Sequence, residues 1–161
     1  MYKRQFLFNE YIGNKYVYLP ELSLRYTGQK TFQFDNSHKT IALYLGGENK
    51  EFRKYPDEYA VQLLRLLNRQ GYNLLLIGDE NDNIKHTQYA EEARIDHLIN
   101  LTARTTIEGF INTIANVDLI ITIDSSALHI AAAVKTPFIA LMGLSTSPTS
   151  TILPKVPLGR I

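Results

Sequence analysis

Short apolar runs, several of them closed by a glycine or an aspartate, recur along the chain. Uninterrupted apolar runs of this length, bounded by turn residues, are typical of strands that are buried on both faces of a sheet. The pattern predicts five strands, over residues 41–45, 73–77, 97–101, 118–123 and 137–142.

Segments with helical periodicity separate these strands. Helices are predicted over residues 57–70, 83–94 and 127–134, and Gly71 is placed to end the first of them. Thr105 and Glu108 have the spacing of a capping box and predict the start of another helix. The predicted buried face of the first helix is Tyr59, Ala60, Leu63, Leu64 and Leu67, and that of the capped helix is Ile107, Phe110, Ile111 and Ile114.

The alternation of strands and helices predicts an α/β fold, a Rossmann-like doubly wound parallel sheet with helices on both faces. In the common order of such a sheet, the first and fourth strands lie side by side where the winding reverses. Ligands bind at that point, beyond the carboxyl ends of the strands. The fold therefore nominates two loops as a binding crevice, residues 46–54 and residues 124–129.

The two ends of the chain lack this regular pattern. Residues 1–40 are rich in tyrosine and phenylalanine without a sustained period, and we interpret them as a linker or as the remnant of an amino-terminal domain. Residues 149–161 contain prolines and no clear element, and they are predicted to form an irregular tail.

Charge and composition narrow the classes of function. The 161 residues include 17 basic and 16 acidic side chains, so no overall field attracts nucleic acid, which is a poor default partner. There is no cysteine, which excludes disulfides and thiolate metal sites. No uncharged apolar stretch approaches the ~20 residues of a membrane span, and a cytoplasmic protein is the simplest interpretation.

The first nominated loop has the residue types of an anion site. Gly46 and Gly47 allow close approach of the backbone to a phosphate, and the basic side chains that follow, Arg53 among them, can neutralise its charge. A solvated turn with ordinary surface lysines would explain the same residues.

The second nominated loop has more side chains that could bind a ligand. Asp124 ends a strand, Ser125 and Ser126 stand where a helix cap belongs, and His129 lies in the first turn. The N–H groups and the dipole of a helix start attract anions, while Asp124 can accept hydrogen bonds from sugar or ribose hydroxyls. The alternatives are that Asp124 only caps the helix and that His129 only packs.

Motifs of several other functions are absent from the sequence or incomplete. No G-x-G-x-x-G follows the first strand, and there is no Walker A sequence, no G-x-S-x-G and no paired-histidine metal motif. Residues 79–83 imitate the start of a calcium loop, but Ile84 and Ala90 occupy the positions of its glycine and glutamate. No metal site is predicted.

Residues 124–133, Asp-Ser-Ser-Ala-Leu-His-Ile-Ala-Ala-Ala, and the glycine-ended fifth strand after them resemble the heptosyltransferases of glycosyltransferase family nine. That family carries an aspartate, a small hydroxyl residue, a glycine and a histidine before an alanine-rich helix. The glycine-ended first and second strands and residues 53–56 and 106–109 agree in order and spacing, so the likeness covers about residues 41–148.

The resemblance implies one half of a two-domain GT-B architecture, with residues 41–148 as the domain that binds a nucleotide sugar. The donor in that family is usually ADP-heptose, which is a substrate, so no cofactor is expected. Asp82 would hold nucleotide or sugar hydroxyls, and Thr105 would lie near the adenine. By the resemblance, the residues that bind the donor and its phosphates are Gly47, Glu48, Asn49, Arg53, Asp82, Thr105, Asp124, Ser125, Ser126 and His129.

Four residues depart from the family pattern. Ser126 replaces a glycine, Tyr55 a tryptophan and Arg53 a lysine. Glu48 places a negative charge beside the expected diphosphate. These departures leave the base and the sugar of the donor open.

In the family, the catalytic base is an aspartate of the amino-terminal domain, which also binds the acceptor. We therefore expect no catalytic residue in this chain, and we interpret it as a fragment of a glycosyltransferase that is inactive when isolated. The expected partners are a nucleotide sugar, the missing amino-terminal domain and, through the parent enzyme, a saccharide or lipid-linked acceptor at the inner face of the membrane.

Two other functions fit the same architecture. An epimerase that acts on a nucleotide sugar would need further carboxylates in the crevice, where only Glu48 and Asp82 are available. A non-catalytic nucleotide-binding or scaffold module would need no second domain. Apolar surface left open by a missing domain would also favour self-association.

Overall fold

The computed structural model describes residues 24–46 and 55–141. Its strands are β1 (Thr40–Tyr44), β2 (Asn73–Leu76), β3 (Leu98–Asn100), β4 (Leu119–Ile123) and β5 (Phe138–Leu141). They form one parallel sheet in the order β3-β2-β1-β4-β5, which confirms the predicted doubly wound fold with β1 beside β4. Each strand end lies within one residue of its predicted place.

Helices connect the strands. They are α1 (Asp57–Arg69), α2 (Asn83–Ala93), α3 (Ile107–Ala115) and α4 (Ser126–Val134), and a short 3-10 helix, Glu80–Asp82, precedes α2. Gly71 follows α1 with a φ of +82°, and its N–H donates to the Asn68 carbonyl at 2.9 Å. A residue with a side chain would be strained in that conformation, which confirms Gly71 as the end of the helix.

Two hydrophobic clusters lie on the two faces of the sheet. On one face, Leu43 of β1 packs with Leu64 of α1 and with residues of α2. On the other face, Ala42 of β1 packs with Ile114 of α3 and with residues of α4. Because the central strands are buried on both sides, their sequences are apolar without alternation. Each fully buried leucine stabilises the fold by about 1.5–3 kcal/mol.

Two of the predicted buried residues are exposed, which corrects the predicted faces. Tyr59 is 50% exposed, because the buried stripe of α1 is centred on Ala60, Val61 and Leu64, nearly half a turn away from it. Ile107 is 82% exposed, because it is the first residue of α3 and side chains tilt towards a helix's amino end.

The cap of α3 also differs from the prediction. Thr106, not Thr105, is the N-cap residue, and its Oγ1 accepts a hydrogen bond from the Gly109 N–H at 3.1 Å. The predicted pair, Thr105 and Glu108, has the same spacing as the observed pair, Thr106 and Gly109. A backbone N–H is the essential partner of an N-cap side chain, so an acidic residue three positions later is not required.

Residues 24–39 pack on the α3 side of the sheet without a helix or strand of their own. The Thr27 N–H donates to Asn112 Oδ1 at 3.1 Å, and Asn112 Nδ2 donates to Thr27 Oγ1 at 2.8 Å. Phe32 and Phe34 lie against the cluster beneath α3 and α4. The interpretation of residues 1–40 as a linker or domain remnant stays a prediction. The predicted tail, residues 149–161, lies outside the described residues.

The helices that the structure describes are all too short or too polar to cross a membrane.

Candidate functional site

The two nominated loops leave the sheet next to each other. Tyr44 of β1 is the register partner of Thr122 of β4, so Gly46 and Asp124, two residues further along each chain segment, stand side by side at the carboxyl edge. This is the point at which the winding of the sheet reverses. The residues predicted to bind phosphate in the first loop, Gly47, Glu48, Asn49 and Arg53, lie outside the described residues.

The predicted residues of the second loop converge on the start of α4. Ser125 is the N-cap residue, but its side chain makes no cap hydrogen bond, because its hydroxyl is paired with Thr122 Oγ1 at 2.9 Å. Ser126 is the first helical residue and is exposed, as is His129. Asp124 and Ser125 are half-buried.

This arrangement suits an anion. The backbone N–H groups of the first turn of α4 point out of the sheet edge, and the helix dipole places partial positive charge there. Ser126 and His129 are three residues apart and therefore share one side of the helix. A hydroxyl and an imidazole are thus presented together beside the helix start, with the Asp124 carboxylate at the end of β4.

Asp82 occupies a different kind of position. It is the last residue of the 3-10 helix after β2, and only 2% of its surface is exposed. Its Oδ2 accepts a hydrogen bond from the Asp79 N–H at 3.2 Å. A Cβ atom added to Gly46 would overlap the Asp82 carboxylate, and one added to Gly78 would lie 2.8 Å from Oδ2. The carboxylate is therefore enclosed between the ends of β1 and β2.

Polar groups that the sequence interpretation missed surround Asp82. The Tyr44 hydroxyl is hydrogen-bonded to it, and burial raises the pKa of that hydroxyl well above its ordinary range, as do the charges of Asp82 and Asp79. His86 is fully buried, and its Nδ1 lies 2.7 Å from Thr102 Oγ1. Burial lowers the pKa of His86 to about 4, although Asp82 and Asp79 act in the opposite direction. The reciprocal capping pair of Asp79 and Asp82 is the signal that sequence inspection could have used.

Thr105 comes after β3, an edge strand of the described sheet. It is half-buried in the connection between β3 and α3, and β3 is separated from β4 by β2 and β1. At about 4.8 Å between neighbouring strands, this places the end of β3 roughly 14 Å from the end of β4. Thr105 itself stands just before α3, which packs against α4.

Two grooves of the described structure lie elsewhere. One, of about 610 Å³, runs along the outer side of α1, where Arg65, Arg69 and Arg94 line it. The other, of about 530 Å³, is at the amino-terminal edge of the sheet, between Phe34 and Asp118. Among the described residues of the nominated crevice, none lines either groove. Within the described ranges, no group of three acidic or histidine side chains is placed to hold a metal ion.

Comparison with known proteins identifies relatives over most of the chain. The pattern of "Glycosyltransferase family 9 (heptosyltransferase)" matches residues 3–158. Lipooligosaccharide heptosyltransferase 2 of Haemophilus influenzae is 35% identical over 109 residues, which are 66% of this chain and 31% of that protein. Lipopolysaccharide heptosyltransferase 2 of Salmonella typhimurium is 26% identical over 118 residues, 71% of this chain and 34% of that protein. The chain thus spans about a third of these relatives.

Solved structures show the same fold. The structure of the Escherichia coli ADP-heptose lipopolysaccharide heptosyltransferase II superposes with a TM-score of 0.60 at 24% identity, over 64% of this chain and 32% of that one. A glycosyl transferase of family 9 from Veillonella parvula gives a TM-score of 0.61 at 19% identity, over 66% of this chain and 30% of that one. An E. coli heptosyltransferase solved with ADP-2-deoxy-2-fluoro heptose gives 0.57 at 19% identity, over 64% and 32%.

Proposed function

Because this chain belongs to glycosyltransferase family 9, the heptosyltransferases, we propose that it is the donor-binding domain of a glycosyltransferase. The parent enzyme transfers a heptose-like sugar from a nucleotide-diphosphate donor to a saccharide or lipid-linked acceptor. The observation that carries the proposal is the start of α4, where Asp124, Ser126 and His129 surround a helix amino end beside β1.

The proposed role of this helix start is to hold the diphosphate. When the bond between sugar and phosphate breaks, negative charge grows on the leaving nucleotide diphosphate. Fixed N–H groups and a histidine aimed at that charge stabilise the transition state more than the ground state. His129 orients or neutralises the phosphate, Asp124 accepts hydrogen bonds from sugar or ribose hydroxyls, and Arg53 adds positive charge from the neighbouring loop.

The rest of the reaction is assigned to the remainder of the parent enzyme. The chain covers about a third of its curated relatives, and we propose that the catalytic base and the acceptor site lie in the amino-terminal domain. The isolated chain should therefore bind a nucleotide weakly and transfer no sugar. Sugar transfer by the purified 161-residue chain would overturn this part of the proposal.

Calorimetric titration of the chain with ADP, UDP, GDP and CDP tests donor binding. ADP is the first choice, because one structural neighbour was solved with an ADP-sugar. Asp124→Ala and His129→Ala should each weaken binding of the preferred nucleotide about tenfold, the usual loss of a charge-assisted hydrogen bond. His97→Ala is the matched control, because His97 is exposed but precedes β3 at the opposite edge of the sheet.

Two results would contradict the proposal. One is a folded chain that binds none of the four diphosphates. The other is a loss of affinity that is equal in His97→Ala and His129→Ala, since it would show that the histidine at α4 has no special place in binding.

A further inference from the structure

The buried carboxylate of Asp82 connects two strand ends at the nominated crevice. It contacts the backbone at Gly46, where β1 leaves the sheet, and at Gly78, where β2 leaves it. Its hydrogen bond from the Asp79 N–H holds the 3-10 helix in place above these glycines. With only 2% of its surface exposed, Asp82 cannot reach a ligand unless the chain around it moves.

Tyr44 extends the same arrangement into β1. It stands two residues before Gly46, its side chain is 9% exposed, and its hydroxyl is hydrogen-bonded to Asp82. In this hydrogen bond the hydroxyl is the donor and a carboxylate oxygen accepts. The ring also packs edge-on against Phe110 of α3, with centroids 6.3 Å apart. The Tyr44 side chain therefore contacts both Asp82 and Phe110.

The ends of β1 and β2 are also joined to that of β3. His86 of α2 is fully buried and bonds Thr102, which follows β3. The Ala103 N–H donates to the Gly78 carbonyl at 3.1 Å. Buried polar networks of this kind cost free energy when a member is removed, because the remaining groups lose their partners.

We propose that Asp82 is a positioning residue, whose carboxylate fixes the backbone at Gly46, where β1 has ended, and so sets nucleotide affinity at the adjacent start of α4 without touching the nucleotide. The inference rests on the proposed function. It differs from the direct contact with nucleotide or sugar hydroxyls that the family resemblance implies for Asp82, and the two roles lead to different measurements.

The test uses the full chain, three single variants and the double variant of Asp82 and Tyr44. Asp82→Asn keeps the size of the side chain but replaces one acceptor oxygen by a donor, and Tyr44→Phe removes the hydroxyl that donates to it. The matched control is Glu91→Gln, an exposed acidic side chain on α2. Affinity for ADP is measured by calorimetry below the unfolding transition, and the backbone amide signals of Gly46 and Gly78 are followed by NMR without nucleotide.

A positioning role predicts that Asp82→Asn and Tyr44→Phe each weaken ADP binding about threefold to tenfold. The double variant should bind no more weakly than Asp82→Asn, because both changes break the same hydrogen bond. The Gly46 signal should move in both single variants before any nucleotide is added. Glu91→Gln should leave affinity and signals unchanged. If Asp82→Asn does not fold, Tyr44→Phe carries the test by the same two readouts.

Other outcomes overturn the inference. Loss of affinity in Asp82→Asn alone, with Tyr44→Phe normal and Gly46 unmoved, would show direct contact with the ligand. Normal affinity in both variants, together with weakened binding in Asp124→Ala, would retain the donor site and remove Asp82 from it. If the unmodified chain binds none of the four diphosphates, that result would contradict both the proposed function and this inference.

Discussion

At the scale of single residues, His86 makes the stability of the fold depend on pH. Its folded-state pKa is about 4, against 6.5 for a free histidine, because burial disfavours the charged ring. The unfolded chain therefore takes up a proton before the folded chain does. The unfolding free energy should have its full value above about pH 6.5 and should fall as the pH decreases towards 4. The total loss should be up to roughly 3 kcal/mol, at about 1.4 kcal/mol per pKa unit.

Urea unfolding at a series of pH values from 7.5 down to 5 checks this prediction. In His86→Gln the unfolding free energy should change much less across that interval, whatever its absolute value. His97→Gln is the matched control, because it removes a histidine that is exposed instead of buried. A slope that survives in His86→Gln would assign the pH dependence to other groups.

At the scale of elements, the cap of α3 gives different roles to two neighbouring threonines that look alike in the sequence. Thr106 Oγ1 accepts the Gly109 N–H, whereas Thr105 makes no such cap. Thr106→Ala should lower the unfolding free energy by about 1 kcal/mol, the usual loss of an N-cap. Thr105→Ala should change it much less. Equal losses in the two variants, measured by urea unfolding, would contradict the observed cap.

The elements also show what the sequence could predict. The five strands were predicted within one residue, because burial on both faces leaves an uninterrupted apolar run that is local in the chain. The start of α4 was predicted for the same reason, since Asp124 to His129 are consecutive residues at one strand end. The buried faces of the helices were predicted less well, because several apolar stripes fit the same periodicity. Tyr59 and Ile107 were assigned to buried faces but are exposed.

The burial of Asp82 could not be predicted in this way. It depends on the pairing of β1 with β2, which brings Gly46 and Gly78 to either side of a carboxylate that follows only one of those strands. A capping pair is visible in the sequence, but the glycine of a neighbouring strand is not recognisable as its counterpart. Non-local packing therefore decided which acidic residue faces solvent and which is enclosed.

At the scale of the whole molecule, β5 is an edge of the described sheet, and it exposes an apolar side chain. Ile139 is 49% exposed, whereas the side chains of β1 and β2 are buried. Exposed strand edges and apolar surface favour pairing with another chain. We therefore expect the purified chain to self-associate, with an apparent mass in light scattering that rises with concentration.

Ile139→Lys should reduce that self-association, because a charge at a strand edge opposes pairing with a second chain. Ile84→Lys is the matched control, since Ile84 is 70% exposed but lies on α2. If general apolar exposure drives association, both variants should lower the apparent mass, and the greater exposure of Ile84 should make its effect the larger. If the sheet edge drives it, only Ile139→Lys should act. A chain that stays monomeric at high concentration would contradict both explanations.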